Sequence, residues 1–173
     1  MMVKIFIVPN PSIIIRRAEI SDLKEIHKIE SECFPEDAFS QLQMKEFIKD
    51  PGFIFLVAIM NERIVGFIIG GVEYFRGKNV GHIYSIDVKP EYRNRGVGSL
   101  LLETIENILA EAGVKECYLE VRVDNMTARN LYFKREYRFF EFLSNYYGAG
   151  KDGIRLMKKL TAKTNLNTYN FNP

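Results

Sequence analysis

No apolar run in this 173-residue chain approaches the ~18–20 residues that a membrane-spanning helix needs. The N-terminal run Ile5-Phe6-Ile7-Val8 is too short for the core of a signal peptide, and Pro9 and Pro11 break it. A soluble, cytoplasmic protein with no membrane partner is expected. Cysteine is scarce. Cys33 and Cys117 match neither a metal-ligand spacing nor a disulfide framework. Both are expected as buried or incidental thiols in a reducing compartment, and no metal site is expected. An excess of one charge is missing too. The formal net charge of +2 is too small to argue for nucleic acid.

Internal repeats and inter-domain linkers are absent as well. The 47% hydrophobic and 27% charged residues suffice for a sizeable core and argue against disorder. One domain over residues 1–160 is expected. A polar, asparagine-rich tail without periodicity follows at 161–173.

What is present is concentrated in His82 to Leu102. His82 to Val88 alternates around β-branched and aromatic residues and suits a strand. Pro90 ends it, because proline has no N–H to give to a ladder. A basic glycine turn follows, Arg93-Asn94-Arg95-Gly96-Val97-Gly98-Ser99. Leu100, Leu101, Leu102, Ile105, Ile108, Leu109 and Ala112 then recur at helical spacing, with Gly113 placed as a C-terminal cap. The first turn of such a helix has unpaired N–H groups at the positive end of its dipole. Gly96 and Gly98 lack a Cβ, so an anion can approach that backbone. Arg93 and Arg95 add forked phosphate donors. The turn reads as a pyrophosphate cradle; a plain glycine turn between strand and helix is the alternative.

Two nucleotide-binding motifs fail here. A Walker A loop needs Gly-Lys-Ser/Thr after its glycines, and this turn lacks the triplet. A Rossmann fingerprint needs Gly or Ala where Leu101 stands. Instead, Arg93-x-x-Gly96-x-Gly98 resembles the acetyl-coenzyme A loop of the GNAT acyltransferases, which wraps the pyrophosphate with backbone N–H groups. Leu119-Glu120-Val121-Arg122-Val123-Asp124-Asn125, then Ala128 and Leu131-Tyr132, resembles the signature of one GNAT branch. That branch contains ribosomal-protein-alanine and N-terminal α-amino acetyltransferases. Gly81-His82 and the run Tyr146-Tyr147-Gly-Ala-Gly-Lys-Asp are similar to the archaeal-type N-terminal enzymes, and Phe34-Pro35-Glu36 to their substrate loop.

The rest of the pattern fits that resemblance over roughly residues 12–160. Met1 to Asn10 can add a short edge strand, and Ile13 to Arg17 is the first firm one. Ser21 is a candidate N-cap for a helix carrying Leu23, Ile26, Ile29 and Cys33; His27 lies in it as a surface or half-buried structural residue. A loop at Phe34–Ser40 leads to a helix from Ser40 to Lys49. Phe53 to Met60 and Ile64 to Tyr74 read as a hairpin. After the central helix come a strand at Glu116–Val123, a short helix through Tyr132, and strands at Tyr137–Leu143 and Ile154–Lys159. This order implies an α/β mixed sheet of about seven strands with four helices on both faces. The resemblance adds that the central parallel strands splay.

Acetyl transfer to an amine needs a neutral nucleophile and a base for its proton. Glu120 is the first candidate, directly or through a water; the alternative is a solvated carboxylate paired with Arg122 or a lysine. His82 opens the central strand and suits proton relay, or else it bonds a loop carbonyl. Tyr132 is the candidate general acid and a contact for the thioester sulfur, or else a core tyrosine. For the coenzyme, the resemblance implies the backbone of Ile86, Asp87 and Val88 beside the pantetheine arm. The same segment can supply an oxyanion N–H if the strand bulges. The coenzyme set continues with Arg93, Asn94, Arg95, Gly96, Val97, Gly98, Ser99, Asn125, Tyr132 and Lys134. Asn125 is equally an ordinary N-cap. Glu36, Phe39, Tyr84, Tyr146 and Tyr147 are candidates for gripping the peptide, Glu36 at the ammonium and Tyr147 at the peptide backbone; for the aromatics, core or lid packing is the alternative.

Two departures stand out. Glu136 replaces the glycine that usually ends the helix after Leu131-Tyr132, and Lys151 stands where relatives tend to carry an acid. The expected protein is an acetyl-CoA-dependent N-acetyltransferase acting on protein N-termini, possible targets including a ribosomal protein. Direct attack in a ternary complex is expected rather than an acetyl-enzyme, because neither cysteine has a nucleophile's context. A monomer or weak homodimer is expected. A lysine or small-amine acetyltransferase and a non-catalytic acyl-CoA sensor are the rivals.

Overall fold

The computed structural model describes residues 6–7, 13–33 and 38–161. The strands are β1 (Phe6–Ile7), β2 (Ile14–Arg17), β3 (Phe53–Met60), β4 (Arg63–Phe75), β5 (Lys78–Val88), β6 (Glu116–Arg122), β7 (Arg138–Leu143) and β8 (Gly153–Lys159). The helices are α1 (Leu23–Cys33), α2 (Gln41–Lys49), α3 (Val97–Glu111) and α4 (Met126–Lys134). Among the described residues, one sheet runs in the order β1-β2-β3-β4-β5-β6-β8-β7. The seven expected strands are present, and β1 is the short edge strand. No helix among the described residues is long and apolar enough to cross a membrane.

Both faces of the sheet are covered. On one, Leu56, Ala58, Ile68, Ile83, Leu119, Val121 and Leu156 pack against Leu101, Leu102, Ile105 and Leu109 of α3. On the other, Phe55, Val57, Phe67 and Ile69 pack against Ile26 and Ile29 of α1 and Met44 of α2. Strands buried on both sides read as continuous apolar runs, which explains the uninterrupted Phe53–Met60 stretch.

Local chemistry sets the helix ends. Ser40 and Gln43 cap α2 reciprocally, with the Ser40 N–H 2.9 Å from Gln43 Oε1 and the Gln43 N–H 3.3 Å from Ser40 Oγ. Ser21 does not cap α1. A 3-10 turn at Ile20–Asp22 intervenes. There Asp22 accepts the Glu19 N–H at 2.8 Å, while Arg16 clamps the same carboxylate at 2.6 and 2.8 Å. A buried carboxylate, not a hydroxyl, fixes this corner. At the end of α4, Glu136 takes φ 70°, the left-handed conformation that glycine usually supplies. The helix therefore ends in a left-handed residue without a glycine, at a backbone cost of about 1 kcal/mol.

Two irregularities in β5 make the site. Opposite β4, Ile69 pairs with Ser85 and Gly70 with Ile83, so Tyr84 is an extra residue in a bulge. The bulge changes the parity of β5. His82 and Tyr84 face α1 and α2 before it, and Ser85 and Asp87 face that side after it. Opposite β6, the parallel ladder covers only Gly81–Cys117, His82–Tyr118 and Ile83–Leu119. Beyond Ile83 the two strands part.

Candidate active site

His82 lies where β5 and β6 diverge. Its Nε2 is 2.8 Å from Glu120 Oε2 on β6. Its Nδ1 is 3.1 Å from Glu73 Oε1 on β4, a contact bent away from a straight hydrogen bond. The other Glu120 oxygen accepts from Arg155 Nε on β8 at 2.7 Å. Arg155 also donates to Glu141 on β7, and Glu141 accepts from Arg76 in the β4–β5 turn at 3.1 Å. Acids and bases thus alternate across five strands: Glu73, His82, Glu120, Arg155, Glu141, Arg76.

The charges have stated causes. Burial pushes the Glu120 carboxyl up, but hydrogen bonds and charge from His82 and Arg155 outweigh it and hold it below the usual carboxylate range. Glu73 is also raised by burial, and three donors, Tyr118, Tyr84 and His82, bring it down to about 2. Arg155 rather than Arg122 pairs with Glu120. Arg122 binds Asp124 in its own strand end, at 2.6 Å.

Tyr132 is 5% exposed and sits edge-on to Tyr137, with ring centroids 5.9 Å apart. Burial first, then the nearby Asp87, raises its phenol and keeps it protonated. Both a core role and a proton-donor role are compatible with that placement. Asn125 is the N-cap of α4; its side-chain oxygen accepts the Ala128 N–H at 3.1 Å.

The glycine turn fits a pyrophosphate. Gly96 is the N-cap of α3 at φ 84°, with no side-chain cap hydrogen bond, and a Cβ there would meet nothing within 4 Å. The first-turn N–H groups therefore receive no side-chain acceptor from the cap residue. Asn94 is left-handed too, at φ 59°. Gly98 has another use: a Cβ there would lie 3.1 Å from Leu131, so its absence lets α4 pack on α3. Val97 is buried in the core, and only its backbone is available to a ligand. Arg95 stacks over Tyr92 at 5.5 Å, and Lys134 is exposed in the last turn of α4. Arg93 is turned elsewhere: it donates to Val88 O at 3.0 Å and to Cys33 Sγ at 3.5 Å.

Phe39 and Tyr84, two of the aromatics expected at the peptide, belong to one connected group of rings. Phe39, Phe47, Phe53 and Tyr84 pack ring to ring at 4.8–6.4 Å. Tyr146 is half exposed and sits edge-on to Tyr147. Glu120 and Glu73 both act on the Tyr146 phenol, after burial, to raise it. Glu36 lies outside the described residues.

Asp87 belongs to a different cluster. It is buried against Glu30 of α1, with Ser85 Oγ 3.0 Å from Asp87 and 3.4 Å from Glu30. Burial and then Glu30 push the Asp87 carboxyl well above the usual range. Cys33 and Cys117 are both free thiols, and burial raises each to about 12, which removes them as nucleophiles at neutral pH.

Sequence reasoning missed Glu73, Tyr118, Arg155, Glu141 and Arg76. Period-two alternation put Tyr118 on the Glu120 face. Nothing local signalled the others, which depend on strand register.

The fold and this site define a class: an acyl-transfer enzyme that holds an acyl-coenzyme A in a splayed sheet. The model of the acetyltransferase (GNAT) family matches residues 23–137, and the chain belongs to that family. It is an acetyl-CoA-dependent acetyltransferase. The chain is 37% identical over 147 residues to an uncharacterized N-acetyltransferase of Methanocaldococcus jannaschii, covering 84% of this chain and 91% of that protein. It is 32% identical over 155 residues to an N-alpha-acetyltransferase of Saccharolobus solfataricus, covering 84% and 92%. In fold it resembles Ard1 from Thermoplasma volcanium, with TM-score 0.76, 24% identity and coverage of 87% and 99%. It also resembles Arabidopsis thaliana NAA60 bound to a bisubstrate analogue, with TM-score 0.78, 19% identity and coverage of 88% and 100%.

Proposed function

We propose that the protein acetylates the free α-amine of protein N-termini. The carrying observation is the His82–Glu120 pair, 2.8 Å apart at the mouth of the splay. The relatives named N-alpha-acetyltransferase support the same acceptor class. A peptide α-amine has a pKa of about 8, so a modest base suffices at neutral pH; a lysine amine near ~10.4 demands more.

Acetyl-CoA, when bound, supplies an activated acetyl group and a thiolate leaving group. The N–H groups of residues 96–99 and Arg95 would hold its pyrophosphate. The β5 segment Ile86–Val88, unpaired on the β6 side, would take its pantetheine arm. Glu120 Oε2 and His82 Nε2 receive the proton that leaves the amine, directly or through one water. Both oxygens of Glu120 are already hydrogen-bonded and its carboxyl is held below the usual range, so it is a weak base, and an α-amine gives up its proton to it more readily than a lysine does. Tyr132 Oη carries a proton for the departing sulfur. Phe39, Phe47, Phe53 and Tyr84 line the approach of the first residue, and Tyr146 and Tyr147 cover it from the opposite loop. A cytoplasmic setting, with nascent or ribosomal proteins as targets, belongs to this proposal.

The test is thiol release from acetyl-CoA with short peptides beginning Ser, Ala, Met-Leu or Met-Glu, each free and pre-blocked. Release only with free N-termini is the expected result. Equal release from blocked, lysine-containing peptides would replace the α-amine with the side chain.

A further inference from the structure

Glu73 is the junction of three rings, and the proton transfers described above leave it without a role. Its Oε1 accepts the Tyr84 hydroxyl at 2.6 Å and faces His82 Nδ1 at 3.1 Å. Its Oε2 accepts the Tyr118 hydroxyl. The same two tyrosines hold the imidazole from two sides. Tyr118 stacks on it with centroids 4.2 Å apart and planes 18° apart, and Tyr84 meets it at 4.3 Å. One carboxylate therefore ties together β4, β5 and β6 at the point where the β5–β6 ladder ends. Tyr84 stands two residues after His82 in β5, so the two rings share one face of the sheet.

Glu73 is not itself a base. Two hydroxyl groups and the imidazole already hold its carboxyl down to about 2, so it takes up an amine proton poorly. Nor is it a buried structural acid; its side chain is 36% exposed, against 6% for Glu120. Its geometry suits a different task. The imidazole is held with Nδ1 facing Glu73 at 3.1 Å and Nε2 facing Glu120 at 2.8 Å, and the two tyrosines that donate to Glu73 flank the ring.

We propose that Glu73 is a positioning residue that, through the two tyrosines whose hydroxyls it accepts, fixes the ring plane of His82 so that Nε2 is presented to Glu120. This rests on the proton-accepting role given to the His82–Glu120 pair. Tyr84 and Tyr118 act with Glu73, through their hydroxyls and their ring faces. The other charged group packed against this set is Arg155, whose guanidinium lies 5.2 Å from the Tyr118 ring centre.

The experiment compares wild type, Glu73→Ala and Glu73→Gln in two readouts. One is steady-state kinetics with a free-N-terminus peptide. The other is the ring 15N spectrum of His82, taken on the full chain without substrate. Glu73→Ala is expected to lower kcat on the order of 10–100-fold, as for other carboxylates that orient a working histidine, with peptide KM within about twofold. Glu73→Gln retains an acceptor oxygen and is expected to recover most of that loss. The Nδ1 resonance of His82 is expected to move in the Ala variant and to return toward wild type in the Gln variant. Unchanged kcat and ring spectrum in Glu73→Ala would overturn the proposal. A Gln variant as impaired as the Ala variant would overturn it too, because an acceptor oxygen would then not be what matters. Should wild type fail to acetylate any peptide, the acceptor reading falls, and the ring spectrum alone decides the role of Glu73.

Discussion

Two carboxylate clusters lie on the same face of the sheet, one on each side of the Tyr84 bulge, and their chemistry is opposite. Before the bulge, Glu73 and Glu120 bracket His82, and hydroxyls and a guanidinium complete their contacts. Both carboxyls are held below their ordinary range. After the bulge, Asp87 faces Glu30, and Ser85, Cys33, Tyr132 and the Phe39 N–H lie beside the pair. None of the groups acting on Asp87 is a cation, and burial pushes it up toward its neutral form. Burial alone does not decide protonation; the donors that accompany it do. A few residues along one strand separate an ionised pair suited to receive a proton from an acid pair that holds one.

The contrast can be broken at the ionised end first. Glu120→Gln is expected to lower kcat by about 100-fold or more, with coenzyme affinity unchanged, measured by thiol release and by coenzyme titration. Arg155→Met removes the cation that offsets Glu120. We expect a loss of about 2 kcal/mol at neutral pH by denaturant unfolding. The sign with pH follows from linkage: a carboxyl lowered by folding contributes stability above its unfolded pKa and loses it as pH falls through the folded value. The difference between Arg155→Met and wild type should therefore shrink in acid.

The acid pair has the reverse sign. A carboxyl raised by folding contributes stability below its unfolded pKa and loses it as pH rises through the folded value. Asp87→Asn keeps a hydrogen for Glu30 without a titrating proton. Its Tm should exceed that of wild type by about 2–4 °C per kcal/mol recovered, the gap widening from pH 5 to pH 9. A gap that narrows with pH would place the proton elsewhere. The smallest effect is expected far from both clusters. Glu136→Gly relieves the left-handed strain at the end of α4 and should stabilise by up to about 1 kcal/mol in denaturant unfolding.

The segment from His82 to Gly113 was legible because its signals are local. Alternation, Pro90, the glycines and the helical leucines each act within a few residues. Asn125 was legible as a cap, and Ser40 as the start of a helix, for the same reason. Ser21 misled, because a distant arginine, Arg16, made Asp22 the better anchor. Arg93 was expected at the phosphate and is engaged by Val88 and Cys33, a contact set by where α1 ends. Glu73 was invisible for a plainer reason. It meets His82 because β4 and β5 pair Gly71 with His82, a register carried unbroken from the Phe75–Lys78 turn. Glu120 could be singled out through resemblance, yet Arg155 pairs with it only through the β6–β8 register.

The acceptor itself is tested most directly inside one molecule. A peptide with a free N-terminus and an internal lysine would be incubated with the enzyme and acetyl-CoA, and the modified site located by fragmentation mass spectrometry. The account predicts acetylation of the N-terminal residue, with the lysine left free. Acetyl on the lysine beside an untouched N-terminus would contradict it.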